Sequence, residues 1–250
     1  MTEWYRTAFD ADYLRRYDHR DDAEAEADIA ALVAWVQPPR DRGLLDLACG
    51  GGRHLLALHR GGFVDLTGVD LSSDLLREAR RRLDDAGCED VALLRSDMRD
   101  LPYVDRFATV LSLFTSFGYF DDERENERVL CAAWRALESD GLFVVDTLSR
   151  QHTIDTLVTS EERRLADRVE RIERRISEDG RRVEKTVNIS TGRGVERTVT
   201  ESVRMYEAED LAERFEAAGF SGIEVAGALD GRPFRCDSRR LVVAGRKEAQ

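Results

Sequence analysis

The residues with the clearest chemical potential lie at the ends of two strands near the start of the chain. The first is the run LLDLACGGGRH at residues 44–54, in which an apolar strand passes through a glycine-rich turn directly into a helix. Backbone N–H groups at such a turn approach a ligand that a side chain would block. The second is Asp70, which ends the strand 65–70 and follows Gly52 by 18 positions. A carboxylate there accepts hydrogen bonds from ribose hydroxyls in nucleotide-binding α/β folds.

The spacing of the glycines distinguishes between two kinds of nucleotide ligand. A dinucleotide site needs a third glycine for close packing of helix and strand, and Leu55 occupies that position. The pattern present is instead acid-x-small-x-Gly-x-Gly, formed by Asp46, Ala48, Gly50 and Gly52. This pattern, with a second acid at the end of the next strand, resembles the first two motifs of the class I S-adenosylmethionine-dependent methyltransferases.

The resemblance is close over residues 43–147 and resumes at the last two strands. It implies an α/β fold with a Rossmann-like, seven-stranded, mostly parallel sheet, and S-adenosylmethionine as the cofactor. In the family, the acid after the third strand, here Asp97, bonds the adenine amino group, and its neighbour Met98 packs on the ring. The resemblance implies that the cofactor-binding residues are Tyr13, Asp46, Ala48, Cys49, Gly50, Gly52, Arg53, Asp70, Leu71, Asp97, Met98, Leu113 and Phe114.

The residues after the fourth strand favour a small organic acceptor. Family members that methylate base or glutamine amines carry Asn/Asp-Pro-Pro-Tyr there, whereas residues 113–116 read LFTS. The aromatic run 114–120 resembles a small-molecule branch that includes N-methylating enzymes of amino sugars and antibiotics. We expect N- or O-methylation by in-line displacement, which depends on orienting and desolvating two reactants. An RNA- or protein-directed methyltransferase and a cofactor-binding homologue without catalysis remain alternatives.

Such a transfer requires no metal and no covalent nucleophile, and it requires a base only if the acceptor arrives protonated. The candidate catalytic residues are Tyr17, His19 and Tyr119, and His54 also lies near the expected pocket. Simpler roles are open for the histidines, a solvated helix end for His19 and packing in the first helical turn for His54. The four cysteines are scattered without a C-x-x-C pair, which argues against a zinc site and disulfides.

Composition and charge favour a single soluble enzyme domain. The chain has 250 residues and a formal net charge of −12, which repels nucleic-acid phosphates. No apolar run approaches the roughly 18 residues needed to span a bilayer, and the first residues do not resemble a signal peptide. With the scattered cysteines, these features predict a cytoplasmic enzyme that binds neither nucleic acid nor membranes.

The chain divides into an N-terminal helical cap, residues 1–40, and a methyltransferase domain, residues 41–250. Within the cap we expect helices over 8–19 and 21–37, with the second ended by the two prolines at 38–39. After the fifth strand, residues 160–205 form an antiparallel insert, predicted as three strands from its turn signals and period-2 pattern. The insert is expected to be a lid over the substrate or a dimerisation surface, in which case the protein is a homodimer.

Overall fold

The computed structural model describes residues 3–16, 22–191 and 194–248, and the structural statements below concern these ranges. The helices are α1 Tyr5–Ala8, α2 Ala11–Arg16, α3 Asp22–Val36, α4 Arg53–Arg60, α5 Ser73–Asp85, α6 Glu123–Ala136, α7 Arg150–Asp155 and α8 Ala208–Ala217. The strands are β1 Leu44–Leu47, β2 Leu66–Asp70, β3 Ala92–Arg95, β4 Phe107–Ser112, β5 Leu137–Leu148, β6 Ser160–Arg164, β7 Val169–Ile176, β8 Arg182–Ser190, β9 Val195–Arg204, β10 Phe220–Ala226 and β11 Arg240–Lys247.

A seven-stranded sheet with the order β3-β2-β1-β4-β5-β11-β10 forms the centre of the fold. The pairs from β3 to β5 are parallel, and β11 runs antiparallel to both of its neighbours. Strands β1, β2 and β4 are buried along their whole length, as expected for parallel strands covered on both faces. The predicted seven-stranded, mostly parallel sheet is therefore confirmed.

Helices cover both faces of this sheet and complete two hydrophobic cores. On one face, α6 and α8 contribute Leu130 and Phe215, which pack with Phe143 of β5. On the other face, α3 and α4 pack together and contribute Leu32 and Leu55. Helix α3 thus belongs to the sheet-covering layer, and the part of the predicted cap that reaches the carboxyl edge is residues 3–16.

The absence of a glycine at Leu55 is compensated on the facing strand. A Cβ atom on Gly68 of β2 would lie 2.5 Å from Leu55 Cδ1 and 2.9 Å from both Cys49 Sγ and Leu93 Cδ2. Helix α4 therefore approaches β2 closely because the strand, rather than the helix, carries the glycine. In the dinucleotide pattern the helix carries the glycine, whereas here the helix carries Leu55 and the strand carries Gly68.

The insert after β5 is antiparallel, as predicted, but it has four strands instead of three, with the order β6-β7-β8-β9. The sequence before the turn at 178–181 folds as the hairpin β6–β7, closed by a hydrogen bond from Leu165 N to Arg168 O. The prediction of a single strand was wrong because residues 165–168, LADR, contain neither glycine nor proline to mark the turn.

The N-terminal helices agree with the prediction in part. Helix α3 ends at Val36, just before the two prolines, as its sequence indicates. Helix α2 covers only part of the predicted helix 8–19, whose end lies outside the described residues, and the short α1 was not predicted. Within the described ranges, no helix is long and apolar enough to cross a membrane.

We predict that Gly68→Ala lowers the free energy of unfolding by roughly 1–3 kcal/mol, because the added methyl overlaps Leu55, Cys49 and Leu93. Urea denaturation measures this loss. In a double-mutant cycle with Leu55→Ala, the double variant should be more stable than the sum of the two single losses, since the smaller residue 55 leaves room for the methyl. Additive losses would contradict the packing account.

Candidate functional site

The loops at the carboxyl ends of the parallel strands enclose a cavity of about 220 Å³ together with residues 3–16 of the cap. Eleven of the thirteen predicted cofactor-binding residues line it. They are Tyr13, Ala48, Cys49, Gly50, Arg53, Asp70, Leu71, Asp97, Met98, Leu113 and Phe114. Open α/β sheets bind ligands at this edge. Asp46 and Gly52 are not part of the lining.

Asp70 connects the ends of the first two strands. Its Oδ2 accepts a hydrogen bond from Gly50 N at 2.9 Å, and its Oδ1 accepts one from Ser72 N at 2.8 Å. Burial raises the pKa of this carboxyl, while the backbone N–H donors oppose that effect. Each carboxylate oxygen accepts more than one hydrogen bond, so the group retains capacity for hydroxyl donors in the cavity.

The two glycines of the turn have different tasks. Gly50 has a φ of +54°, and a Cβ atom there would meet only Leu75, at 3.9 Å, so its backbone faces the cavity. Gly52 has a φ of +77°, and a Cβ atom there would lie 3.0 Å from Ala79 Cβ on α5. Gly52 thus permits close packing of the turn against α5, whereas Gly50 exposes backbone to the ligand.

Two buried polar side chains below the turn have atoms with no hydrogen-bond partner among the described residues, Asp46 Oδ2 and His54 Nε2. Burial, with the nearby charge of Asp70, raises the pKa of Asp46 to about 7. Burial, with the charge of Arg53, lowers the pKa of His54 to about 3. His54 is therefore a neutral imidazole in the cavity wall, and its Nε2 is buried without a partner among the described residues.

Asp97 is fixed by Arg99, an interaction that the motif does not predict. The guanidinium forms hydrogen bonds of 2.9 and 2.6 Å to the two carboxylate oxygens and a third of 2.6 Å to Glu125. It also lies over the ring of Phe120, at 4.2 Å from the centroid. These contacts orient Asp97 at the cavity edge, and they hold its pKa below the usual range against the effect of burial.

The loop after β4 is held in an unusual backbone conformation. Phe114 and Thr115 have positive φ values of 58° and 64°, which non-glycine residues rarely adopt. Asp146 of β5 stabilises this shape, because its Oδ2 accepts from Phe114 N at 2.9 Å and its carbonyl accepts from Thr115 N. Arg240 forms a 2.8 Å ion pair with the same carboxylate. The ring of Phe114 is thereby directed into the cavity.

Thirteen further lining residues were not among the predicted cofactor-binding residues. They are Tyr5, Phe9, Leu14, Gly51, His54, Val69, Leu75, Glu78, Arg82, Ser96, Ser116, Tyr119 and Phe120. Of these, Ser116, Tyr119 and Phe120 belong to the loop 114–120 expected at the acceptor, and His54 and Tyr119 were considered as catalytic candidates. The aromatic density at the N-terminus was the only available signal for the cap residues. The two charged residues Glu78 and Arg82 could not be identified from the sequence, because their positions on α5 match the pattern of a solvent-exposed helix face.

A second and larger cavity, about 520 Å³, adjoins the first. The two share four aromatic residues, Phe9, Tyr13, Phe114 and Tyr119. The second is otherwise lined by the end of β5, by α7 and by the insert strands. The insert therefore lies at the carboxyl edge of the main sheet, as its exit after β5 suggests.

The catalytic candidates are only partly described. Tyr119 lies at the boundary between the two cavities, where its ring is 5.6 Å from that of Phe9 and 5.0 Å from that of Trp4. Burial raises the pKa of its phenol well above the usual value, so it is a neutral hydroxyl rather than a base. Tyr17 and His19 lie outside the described residues.

The first cavity fits S-adenosylmethionine. Gly50 offers backbone, Asp70 offers acceptor capacity, and Asp97 lies beside the apolar side chains of Met98 and Leu71. His54 adds a buried nitrogen without a partner among the described residues. These groups would hold the amino acid, ribose and adenine parts of that cofactor, and its sulfonium supplies an activated methyl group.

Comparison with known proteins agrees with this assignment. A methyltransferase domain family matches residues 44–141. A dTDP-3-amino-3,4,6-trideoxy-alpha-D-glucopyranose N,N-dimethyltransferase of Streptomyces venezuelae is 38% identical over 138 residues, 55% of this chain and 54% of that protein. The chain spans about half the length of the curated relatives it matches.

Similarity of structure extends over the whole chain. The sugar N-methyltransferase KedS8 from Streptoalloteichus sp ATCC 53650 has a TM-score of 0.69 and 27% identity, with 95% of this chain and 92% of that chain covered. The CcbJ methyltransferase from Streptomyces caelestis has a TM-score of 0.79 over 100% of both chains at 21% identity, which establishes a shared fold.

Fold, site and comparisons together define a class of protein. Residues 44–141 match a methyltransferase domain family, and the chain as a whole shares the fold of S-adenosylmethionine-dependent methyltransferases. The resemblance found in its motifs is thereby confirmed, and S-adenosylmethionine is the cofactor of the class. A SAM-bound structure among the similar proteins, CalS10 from Micromonospora echinaspora, is 25% identical to this chain.

We predict that Asp70→Ala weakens S-adenosylmethionine binding by roughly 10- to 100-fold, because ribose hydroxyls lose a buried acceptor. Isothermal titration calorimetry measures the change. The matched control is Asp65→Ala, which removes an ion pair with Arg106 near the opposite end of the same strand. Unchanged affinity in Asp70→Ala would contradict the site assignment.

Valine at the two turn glycines should separate ligand contact from packing. We expect Gly50→Val to lose cofactor binding while keeping the circular dichroism spectrum, because its side chain projects into the cavity. Gly52→Val should instead lower the thermal unfolding temperature, because its side chain overlaps Ala79. Retained binding in Gly50→Val, or an equal loss of stability in both variants, would refute this division of tasks.

Proposed function

We propose that the protein is a transferase that moves the methyl group of S-adenosylmethionine to the nitrogen of a small organic amine. The observation that carries the proposal is the pair of joined cavities, one suited to the cofactor and one lined by the insert. The four aromatic residues shared by the cavities mark the place where the two reactants would meet. Holding them there in line supplies most of what this displacement needs.

In the transfer, a nitrogen–carbon bond forms as the carbon–sulfur bond breaks, the sulfur keeps the electron pair, and positive charge passes to the nitrogen. The chain's own residues would exclude water and orient the amine. Phe114 is set by Asp146 for this purpose, and Tyr119 presents a neutral hydroxyl at the boundary. Low water content strengthens every electrostatic contact made in the cavity.

A small amine is favoured over a macromolecule by the shape and charge of the molecule. The insert and the cap line the second cavity, whose volume of about 520 Å³ suits a small molecule rather than a folded substrate. The formal net charge of −12 opposes binding to nucleic acid. Nitrogen is favoured over oxygen because two curated relatives are named as N,N-dimethyltransferases of amino sugars and KedS8 is named as a sugar N-methyltransferase.

We further propose that the chain consists of a cap, residues 1–40, and a methyltransferase domain, residues 41–250. Within that domain, residues 160–205 act as a lid over the acceptor. Their contacts with the cap support this role over that of a dimerisation surface. The ion pair of Arg168 with Asp12, 3.2 Å, and that of Arg197 with Asp10, 2.5 Å, both join insert to cap. We also propose that the protein acts in the cytoplasm and binds neither nucleic acid nor membranes.

The test is methyl transfer from labelled S-adenosylmethionine to a panel of small amines, phenols, carboxylates and total RNA. We expect label on amines only, detected by mass spectrometry. Label on RNA would favour the RNA-directed alternative. Cofactor binding without transfer to any acceptor would favour a homologue that binds the cofactor and does not catalyse.

Deletion of residues 160–205, with the ends bridged, provides the matching structural test. Cofactor binding should persist, because most of the lining of the first cavity comes from the main domain, while transfer should fall. Full transfer by the deletion variant would contradict the lid.

A further inference from the structure

Four charged side chains on the inner face of the insert sheet line the second cavity. Three of them, Arg174 on β7, Lys185 on β8 and Glu201 on β9, are cross-strand partners and form a charged row. Glu161 on β6 is in register with Ile172 in the adjacent row and reaches Arg174 diagonally. The other members of that adjacent row, Ile172, Val187 and Val199, belong to one hydrophobic cluster. The charged row is therefore a departure from the pattern of that face, and it occurs where the face meets the cavity.

The four charged side chains form two ion pairs. Arg174 Nη2 lies 2.9 Å from Glu161 Oε2, and Lys185 Nζ lies 3.2 Å from Glu201 Oε1 and 3.3 Å from Oε2. The side chains of Arg174 and Glu161 are 20% and 32% exposed, whereas those of Lys185 and Glu201 are 15% and 16% exposed. The Lys185–Glu201 pair is thus the more buried, inner pair.

The inner pair is next to the aromatic boundary between the cavities. The charge of Glu201 acts on the phenol of Tyr119, and Lys185 and Tyr13 interact electrostatically. Tyr13 and Tyr119 line both cavities. A group bound by this pair would therefore be close to the cofactor side of the boundary.

Residue choice separates this pair from ordinary surface ion pairs. The chain has 38 Lys and Arg residues, of which two are lysines, Lys185 and Lys247. Buried ion pairs add little net stability compared with apolar residues of similar size. A compact ammonium with three rotatable donors suits a hydroxyl acceptor, whereas the planar fork of arginine suits carboxylate and phosphate.

We propose that Glu201 and Lys185 together recognise an amine with a neighbouring hydroxyl group, so that the acceptor is a 1,2-amino alcohol. Glu201 accepts an N–H of the amine, and its charge stabilises the positive charge that the nitrogen gains on methylation. Lys185 keeps Glu201 ionised and donates to the neighbouring hydroxyl. The inference rests on the proposed methyl transfer to an amine and adds the class of that amine.

Binding calorimetry on the protein saturated with S-adenosylhomocysteine tests the pair without requiring turnover. The probes are 2-aminocyclohexanol and cyclohexylamine, which differ by the single hydroxyl. Wild type should bind the amino alcohol roughly 10- to 100-fold more tightly. Lys185→Met should remove that preference, and Glu201→Gln should weaken both probes by a similar factor. Equal binding of the two probes by wild type would overturn the proposal.

Two further variants separate recognition from folding. The exchange Lys185→Glu with Glu201→Lys keeps an ion pair across the two strands, so this variant should fold but should no longer bind the probes. The control Glu184→Gln breaks the pair with Arg175 on the opposite face of the same sheet and should bind as wild type. An exchange variant that binds like wild type would show that the pair only stabilises the sheet.

The same samples, assayed with labelled S-adenosylmethionine, distinguish this inference from the proposed function. Binding of the amino alcohol without methyl transfer would overturn the function and leave the recognition pair intact. If methyl transfer to amines is unaffected by Glu201→Gln and by the exchange, the proposed recognition role of the pair is wrong and the proposed function stands.

Discussion

The site depends on one carboxylate that joins two turns. Asp70 accepts the backbone N–H of Gly50 through one oxygen and that of Ser72 through the other, so the end of β1 and the start of α5 are held by a single side chain. The Ser72 hydroxyl then donates to the carbonyl of Phe9 at 2.5 Å and ties the cap to the same point. Burial raises the pKa of Asp70, and its N–H partners offset that cost. Cavity floor, helix start and cap position therefore share one anchor.

A second carboxylate repeats this arrangement three strands away, on β5. Asp146 holds the strained loop at Phe114 and is itself held by Arg240, which also pairs with Asp28 at 2.9 Å. Burial raises the pKa of Asp146 to about 6 despite the arginine. Burying this acid is unfavourable, but its hydrogen bonds stabilise a loop conformation with two successive positive φ values that is itself unfavourable. Both anchors lie at the carboxyl edge, where the reactants would be oriented.

The sequence predicted the central sheet and most of the first cavity, because these follow from local rules. Strand, glycine turn and acid recur at fixed spacing, and parallel strand ends meet at one edge. The fixing of Asp97 by Arg99 was not predictable, since it depends on rotamers and on Glu125 in a distant helix. The extra strand of the insert was missed because its turn contains neither glycine nor proline. The tasks of Gly50 and Gly52 could be separated only once Ala79 was placed beside one of them.

The residues around the cofactor cavity could be predicted from the sequence, whereas those around the acceptor cavity could not. The methyltransferase domain family matches residues 44–141, which contain the first cavity's turns, and ends before the insert begins. The second cavity draws on β5, α7, the insert and the cap, which come together only in three dimensions. A shared cofactor constrains one set of residues to a recurring pattern, whereas each acceptor imposes its own. Specificity is therefore best sought where the family pattern ends, on the inner face of the insert, where a cross-strand lysine and glutamate interrupt an apolar surface.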